Sequence, residues 1–200
     1  LKQPLKGKVV LVRVDFNVPI IDGKVVDNTR IKASLPTIKQ LIDKEAKVVL
    51  ISHFKRPKGQ VVESLRLDPI KDSLEDLLGV MVKKLDECIG DNVQTAISLM
   101  NDSQVLLLEN IRFYKEEEVN DESFSKTLAS YANYYVQDAF GTVHRKHAST
   151  YGVAQHLPSY SGQLVDTELN ALGLILENPK RPLMAIIGGS KISTKFTVLN

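Results

Sequence analysis

The chain alternates between short apolar runs and longer amphipathic segments, and this alternation sets the strongest limit on its fold. Between the runs lie segments in which apolar residues recur every three or four positions, a spacing typical of helices. The pattern predicts a doubly wound, Rossmann-like α/β fold, in which a mostly parallel sheet has helices on both faces. Five apolar runs are predicted to be its strands: residues 9–14, 48–51, 105–108, 134–136 and 183–187.

Individual residues indicate where several helices begin and end. Asp68 is expected to be the N-cap of one helix, with Pro69 at its first position and Gly79 as its left-handed end. Asp121 is expected to begin another helix in the same way. Pro36 is expected in the first turn of the helix that follows the first strand, because proline is tolerated there.

Length and composition exclude several classes of protein. Two hundred residues, 43% of them hydrophobic, are enough for one or two globular domains. No apolar run approaches the ~18 residues of a membrane span, and residues 1–8 are not expected to begin a signal peptide. The single cysteine, Cys88, is expected to be a packing residue in a reducing compartment, so we expect a cytoplasmic protein. A net charge of +2 is too small for a dedicated nucleic-acid binder.

Two predicted connections are too long to serve only as links. Loops between strands and helices in α/β proteins usually take ~2 to 6 residues, whereas these cover residues 15–28 and 52–67. Long loops that follow strands often carry binding residues. The second contains the basic stretch 56–59 (RPKG), which could equally belong to a mobile, solvated flap.

Polar and basic side chains follow four of the predicted strands directly. In a parallel α/β sheet, ligands bind in the crevice beyond the carboxyl ends of the strands. Four of the seven arginines therefore converge on one edge of the sheet. In chain order, the residues at this edge are Asp15, Asn17, Arg30, Ser52, His53, Arg56, Glu109, Asn110, Arg112, Asp138, His144, Arg145 and His147.

The convergence of arginines predicts a small ligand with several negative charges. Four guanidinium groups repel one another unless an anion lies among them, and each can hold a carboxylate or phosphate through two parallel hydrogen bonds. A phosphate monoester carries about −1.5 to −2 at neutral pH, so a phosphorylated acid matches the site better than a neutral sugar. Asp15 and Asn17 would then bind its hydroxyl groups.

Taken singly, several of these residues also have structural explanations. The Asp-x-Asn motif at 15–17 could simply form a turn, and His53 could be a loop histidine rather than a ligand. Arg13, inside an apolar strand, is expected to be structural. Arg66 is expected at the surface, and residues 116–118 are expected to form a solvated acidic turn.

A glycine pair follows the last predicted strand, in the stretch 188–195 (GGSKISTK). The N–H groups of such a loop, with the N-terminus of a following helix, can bind a phosphate or a nucleotide. The stretch matches neither the Walker loop nor the dinucleotide fingerprint. A tight turn with two solvated lysines is the alternative.

Seven motifs follow one another along the chain: residues 12–19 (VRVDFNVP), 27–31 (DNTRI), 52–59 (SHFKRPKG), 108–113 (LENIRF), 138–142 (DAFGT), 144–145 (HR) and 188–191 (GGSK). They resemble, in the right order, those of the phosphoglycerate kinase family. The resemblance covers essentially the whole chain. It implies a two-lobed glycolytic kinase that transfers the acyl phosphate of 1,3-bisphosphoglycerate to ADP, reversibly, giving 3-phosphoglycerate and ATP.

The resemblance also implies roles for the matching residues. Asp15 and Asn17 resemble the pair that binds the glycerate, and backbone groups of three residues are expected against the ligand, namely Phe16, Phe54 and Lys55. Lys55 stands where the family often has glycine. The residues that resemble the basic, substrate-binding patch are Arg30, His53, Arg56, Arg112 and Arg145.

Three residues near the end of the chain resemble the nucleotide-binding part of the family. They are Gly189, Lys191 and Lys195. The resemblance implies that Arg30, Lys191 and Lys195 stabilise the phosphoryl group during transfer. Thr194 stands where many members have aspartate.

The resemblance further implies an arrangement of domains. Residues 1–163 are expected to form the N-terminal phosphoglycerate-binding lobe, 164–178 a hinge helix, and 179–200 the start of the nucleotide-binding lobe. Mg²⁺ is expected to arrive with ADP or ATP and to find its ligands outside this chain. We expect a monomer that binds phosphoglycerate and, as this chain alone, turns over negligibly. The alternative is a non-catalytic α/β module that binds an anionic metabolite or nucleic acid.

Overall fold

A computed structural model describes residues 4–177, 179–184 and 186. Its strands are β1 (Val9–Arg13), β2 (Ile20–Ile21), β3 (Lys24–Val25), β4 (Lys47–Ile51), β5 (Val82–Lys84), β6 (Val105–Leu107), β7 (Tyr134–Gln137) and β8 (Ser159–Ser161). Its helices are α1 (Thr29–Asp43), α2 (Asp68–Leu78), α3 (Asp91–Ser98), α4 (Lys115–Glu118), α5 (Glu122–Ser130) and α6 (Gln163–Glu177). Among these residues, no helix has the length and apolar content needed to cross a membrane.

Six strands form a parallel sheet in the order β5-β6-β4-β1-β7-β8. Alternate side chains of the central strands enter two separate cores. Val10 and Val48 pack on one face with residues of α1 and α2, whereas Leu11 and Val49 pack on the other with residues of α3 and α5. The predicted doubly wound α/β fold is therefore confirmed. The remaining strands, β2 and β3, form a small antiparallel hairpin.

The structure confirms four of the five predicted strands, with ends that differ by one residue. The prediction missed β5 and β8 because these edge strands are short and mostly polar (VKK and SYS). In the fifth predicted strand, Leu183, Met184 and Ile186 are not in a strand, and positions 185 and 187 lie outside the described residues. An apolar run forms a strand only where a neighbour accepts its backbone hydrogen bonds.

The helix ends correct two predictions. Pro36 is the eighth residue of α1 instead of lying in its first turn, because α1 begins at Thr29 directly after the hairpin. The helix tolerates this proline on its exposed face. Asp68 is the first residue of α2, and its predicted capping hydrogen bond is not formed. Gly79 ends α2 with φ +70° as predicted.

The α5 N-cap is confirmed, since the Asp121 carboxylate accepts a hydrogen bond from the Phe124 N–H at 2.8 Å. The chain divides into two compact units, Leu1–Glu168 and Leu169–Asn200, and the boundary falls within α6. The candidate site described below lies entirely in the first unit.

Candidate functional site

A cleft of about 780 Å³ opens beyond the carboxyl ends of β1, β4 and β7. Topology explains its position, because parallel strands bring the loops after them to one edge of the sheet. The structure thus brings together eight of the ten residues predicted to bind substrate. They are Asp15, Asn17, Arg30, His53, Lys55, Arg56, Arg112 and Arg145.

The other two predicted substrate residues, Phe16 and Phe54, place their rings in the hydrophobic core. Their backbone groups are also engaged inside the protein. The Phe16 N–H donates to Ser52 Oγ at 3.0 Å, and the Phe54 N–H donates to Asn110 Oδ1 at 3.0 Å. Asn110 Nδ2 donates in turn to the Phe54 carbonyl at 2.8 Å. These residues therefore hold the loops of the cleft in place from beneath.

Asp15 and Asn17 join the loop after β1 to its neighbours. Asp15 Oδ2 lies 2.6 Å from Arg30 Nη1, and Asp15 Oδ1 accepts the Asn17 N–H at 3.1 Å. Asn17 Oδ1 accepts the Lys55 N–H at 3.0 Å, and Arg112 Nη1 donates to the Lys55 carbonyl at 2.8 Å. The Asp-x-Asn motif is thus more than a turn, because it orients a basic side chain and fixes the loop after β4.

Lys55 adopts a left-handed backbone conformation, with φ +53°. This conformation costs an ordinary residue roughly 1–2 kcal/mol and costs glycine almost nothing. Glycine at this position, as the family resemblance suggests, would therefore be relaxed. In this chain the lysine accepts the strain and places its ammonium 5.6 Å from the centre of the Phe54 ring, at the edge of the cleft.

His53 lies in the wall of the cleft and is 5% exposed. Burial lowers the pKa of its imidazole to about 2, and the guanidinium groups of Arg13, Arg112, Arg145 and Arg30 add to this effect. The ring is therefore neutral at pH 7. Its Nδ1 lies 3.1 Å from Nη2 of Arg13.

Positive charge dominates the cleft. Five cationic side chains face it, against the carboxylates of Asp15 and Glu168. Arg112 is buried. Burial lowers the pKa of its guanidinium, Glu118 opposes this effect, and Arg145 adds to it. An anion among these groups would offset their mutual repulsion. The geometry suits a small, multiply charged anion better than a neutral ligand.

The loop over residues 52–67 is anchored to the body of the domain, which favours a fixed loop over the flap alternative. The Gly59 N–H donates to the Arg112 carbonyl at 3.2 Å, and Asn110 Nδ2 donates to the Leu65 carbonyl at 3.1 Å. Gly59 has φ +73°, and a Cβ there would lie 2.8 Å from the Cβ of Lys115. Only glycine allows the loop to pack this closely.

Glu109 and Arg66 differ from their predicted roles. Glu109 is fully buried and does not face the cleft: its Oε1 accepts the N–H groups of Leu67 and Asn110 at 3.0 and 2.8 Å. Its Oε2 lies 3.1 Å from Arg66 Nη1 and 2.8 Å from Lys84 Nζ. Arg66 is therefore a partner of a buried carboxylate and not simply a surface residue. The 43-residue separation hides this pair from the sequence.

The predicted acidic turn is the short helix α4, and its middle residue, Glu117, is fully buried. The Glu117 carboxylate accepts hydrogen bonds from Ser149 N–H at 2.8 Å and from Ser149 Oγ at 2.7 Å. Burial raises the pKa of this carboxyl group. Arg13 is structural, as predicted: it is 1% exposed, and its Nε donates to Ser149 Oγ at 2.9 Å.

The cleft also contains residues that the sequence analysis did not single out. Thr29 and Thr142 belong to motifs quoted above, at 27–31 and 138–142, so a usable signal was present. No comparable signal marked Glu168. Phe140 and Gly141 also belong to the motif at 138–142, and the remaining such residues are Ala33 and Leu164.

The predicted nucleotide-binding residues, Gly189, Lys191 and Lys195, lie outside the described residues. Within residues 4–177, 179–184 and 186, one group of carboxylates has the spacing of a metal site: Asp68, Asp86 and Glu109. The ammonium of Lys84 lies 3.1, 2.7 and 2.8 Å from these three carboxylates. The Lys84 ammonium thus lies where a metal cation would lie and offsets part of the negative charge of this group.

Comparisons with known proteins find relatives that match nearly the whole chain. A family model described as "Phosphoglycerate kinase" matches residues 2–200. The phosphoglycerate kinase of Dictyoglomus turgidum is 56% identical over 98% of this chain and 50% of its own length. That of Rippkaea orientalis is 58% identical over 96% of this chain and 48% of its own. The chain therefore spans about half the length of the curated relatives it matches.

Solved structures give the same result. The structure of phosphoglycerate kinase from Coxiella burnetii superposes with a TM-score of 0.88 at 36% identity, over 99% of this chain and 50% of that one. The crystal structure from Pyrococcus horikoshii superposes with a TM-score of 0.87 at 31% identity, over 98% of this chain and 50% of that one.

Proposed function

This chain belongs to the phosphoglycerate kinase family, and on that premise we propose that its cleft binds the phosphoglycerate end of the substrate. The reaction is the reversible transfer of the acyl phosphate of 1,3-bisphosphoglycerate to ADP, giving 3-phosphoglycerate and ATP. We place it in glycolysis, in the cytoplasm, in a monomeric enzyme. These 200 residues supply the phosphoglycerate-binding half.

One observation carries the proposal: five cations and the Asp15–Asn17 pair face a single cleft of about 780 Å³. The phosphate and carboxylate of 3-phosphoglycerate provide the anionic oxygens that guanidinium groups hold in pairs. Its 2-hydroxyl can bond to Asp15 or Asn17. A larger polyanion such as nucleic acid makes less use of a carboxylate–amide pair such as Asp15 and Asn17.

Phosphoryl transfer requires positioning and stabilisation of charge more than a nucleophilic side chain. During transfer, negative charge spreads over three equatorial oxygens, and fixed cations stabilise it more than they stabilise bound substrate. Arg30 suits this task because Asp15 orients its guanidinium at 2.6 Å while its side chain stays 54% exposed to the cleft. Lys191 and Lys195 are the cations proposed for the nucleotide side, with Gly189 approaching the nucleotide.

The arrangement of domains follows from the same proposal. Residues 1–163 form the phosphoglycerate-binding lobe, 164–178 act as the hinge helix, and 179–200 begin the nucleotide-binding lobe. Closure about the hinge brings the two substrates together and keeps water from the acyl phosphate. Mg²⁺ enters with ADP or ATP, where it offsets charge on the phosphates. Its ligands are proposed to lie in the half of the enzyme beyond this chain.

Calorimetric titration of the chain with 3-phosphoglycerate tests the proposal. Arg145→Ala is the informative variant, because Arg145 is one of the cationic side chains that line the cleft. Loss of its contact with an anion should cost about 1.5–3 kcal/mol, which is roughly 10- to 150-fold in Kd. Lys146→Ala is the matched control, since it removes the same charge from the next residue, which lies outside the cleft.

The outcomes separate the proposal from its alternative. Equal weakening by both variants, a steep dependence on salt and comparable affinity for an oligonucleotide would indicate a polyanion-binding module. An analogue of 3-phosphoglycerate without the 2-hydroxyl should bind more weakly if Asp15 and Asn17 bind the glycerate. Near-native ATP formation by this chain alone, in a coupled assay, would contradict the proposed division between the two halves.

A further inference from the structure

Arg13 ends β1 directly beneath the cleft, and each edge of its guanidinium has a fixed partner. Nε donates to Ser149 Oγ at 2.9 Å, Nη1 donates to the Val14 carbonyl, and Nη2 lies 3.1 Å from His53 Nδ1. The side chain is 1% exposed. Arg13 therefore does not contact a ligand in the cleft, but it does contact a residue that lines it.

Two groups compete for the same nitrogen of His53. Asp15 Oδ1 lies 4.0 Å from Nδ1, and a protonated Nδ1 would form an ion pair with it. Arg13 is closer, and a guanidinium has five N–H donors and no acceptor. A hydrogen bond from Nη2 therefore requires Nδ1 to be unprotonated, so the ring proton must lie on Nε2.

We infer that Arg13 is a positioning residue that holds His53 in its neutral form with the proton on Nε2, ready to donate from the wall of the cleft. The position of the proton decides what His53 can offer. An imidazolium paired with Asp15 would add a charge to the cleft and occupy the glycerate-binding carboxylate. The neutral ring instead adds one hydrogen-bond donor and leaves Asp15 paired with Arg30.

The surroundings of the ring favour the same form. The charged groups that face His53 are the arginines at positions 13, 30, 112 and 145, and the single opposing carboxylate of Asp15, which Arg30 already binds. Burial and four nearby cations disfavour a further positive charge.

Buried groups behind Arg13 hold its guanidinium in place. Ser149 Oγ accepts from Arg13 Nε and donates to Glu117 Oε1 at 2.7 Å. Burial raises the pKa of the Glu117 carboxyl group, and the nearby charge of Arg13 opposes this effect. Because Nε and Nη1 are both held, the plane of the guanidinium is set, and Nη2 is directed at His53. The line of contacts from Glu117 to His53 passes through Ser149 and Arg13.

Nitrogen NMR of the free chain at pH 7 tests this assignment directly. A long-range ¹H–¹⁵N correlation should show His53 Nδ1 unprotonated and Nε2 protonated. A ¹⁵N–¹⁵N coupling across the hydrogen bond should connect Arg13 Nη2 to His53 Nδ1. A protonated Nδ1, or the absence of this coupling, would overturn the inference.

Arg13→Met removes the donor and leaves Asp15 as the remaining partner for Nδ1. We expect the proton to move to Nδ1, or the ring to become an imidazolium, with a clear rise in the pKa of His53. Lys146→Met is the matched control, since it removes a cation that lies outside the cleft and keeps the contacts of Arg13, and it should leave the ring unchanged. An unprotonated Nδ1 in folded Arg13→Met would refute the role of Arg13. If Arg13→Met does not fold, the wild-type coupling decides the question.

The identity of the group that accepts a hydrogen bond from His53 Nε2 rests on the proposed function. Addition of 3-phosphoglycerate should shift the His53 Nε2 proton downfield, as expected for donation to a charged oxygen. Failure of the chain to bind 3-phosphoglycerate would count against the proposed function alone, because the tautomer is measured without ligand. Binding without any change at Nε2 would remove the donor role in the cleft and keep the proposed function.

Discussion

Lowering the pH should reduce the free energy of unfolding, because His53 is buried and neutral in the folded chain. In the folded chain burial lowers the pKa of this ring to about 2, whereas in the unfolded chain it is about 6.5. As the pH falls below 6.5, the unfolded state therefore binds a proton that the folded state does not. Stability from this group is complete above pH 6.5 and is lost progressively between pH 6.5 and 2. At pH 5.5 the loss amounts to about 1.4 kcal/mol relative to pH 7.5.

Asp138 works in the opposite direction over part of the same range. Burial raises the pKa of its carboxyl group to about 6, from about 3.9 in the unfolded chain. The folded state therefore binds the proton first, and stability from this group rises as the pH falls from about 6 to 3.9. At pH 5.5 the gain is about 0.8 kcal/mol relative to pH 7.5. Wild-type stability alone thus understates the effect of His53.

Comparison with His53→Gln isolates the histidine. Glutamine can accept the hydrogen bond from Arg13 through Oε1, and it does not titrate. Free energies of unfolding in urea, followed by circular dichroism at pH 7.5 and 5.5, should show that wild type loses about 1.4 kcal/mol more than the variant. Titration of Asp138 and of the other histidines is common to both proteins and cancels. An equal pH dependence in the two would mean that His53 takes up its proton in the folded state, and the reasoning would fail.

Three other substitutions test contacts described above by urea denaturation. Gly162→Ala should destabilise by about 3 kcal/mol or more, because its Cβ would lie 2.1 Å from Asp138 Oδ1; Gly173→Ala, in open space within α6, should cost nothing. Lys55→Gly should stabilise by about 0.5–1 kcal/mol, since it relieves the left-handed strain, and weaken binding of 3-phosphoglycerate; a loss of stability would contradict this account. Lys84→Met should destabilise by about 3 kcal/mol, because it leaves the buried Glu109 with one cation fewer; a cost below about 1 kcal/mol would show that Arg66 suffices.

The central strands could be predicted because buried strands consist mostly of apolar residues. Strands β1, β4 and β6 lie inside the sheet and are apolar on both faces. The rule that ligands bind beyond the carboxyl ends of parallel strands then sufficed to bring Asp15, His53 and Arg145 into one cleft. Both steps depend on local pattern and topology, which a sequence displays.

The errors around the candidate site concern partners that are distant in the chain. Glu117 lies in a run of three glutamates that is typical of a solvated surface, yet Ser149 draws it into the interior. Arg66 was expected only at the surface and Glu109 at the edge of the sheet, and their pairing was missed for the same reason. In these cases burial depends on pairing between polar groups that are distant in the chain. Such pairing leaves no periodic pattern in the sequence.

The place of β1 in the sheet has a consequence for synthesis on the ribosome. β1 pairs with β4 on one side. Its other edge has no partner until β7 has been synthesised, about 120 residues later in the chain. At roughly 5–20 residues per second, that edge stays open for about 6 to 25 seconds after β1 has been made. An apolar strand with an unpaired edge is a template for aggregation. The nascent chain therefore depends on being shielded during this interval, and slower translation between β4 and β7 should lower its soluble yield.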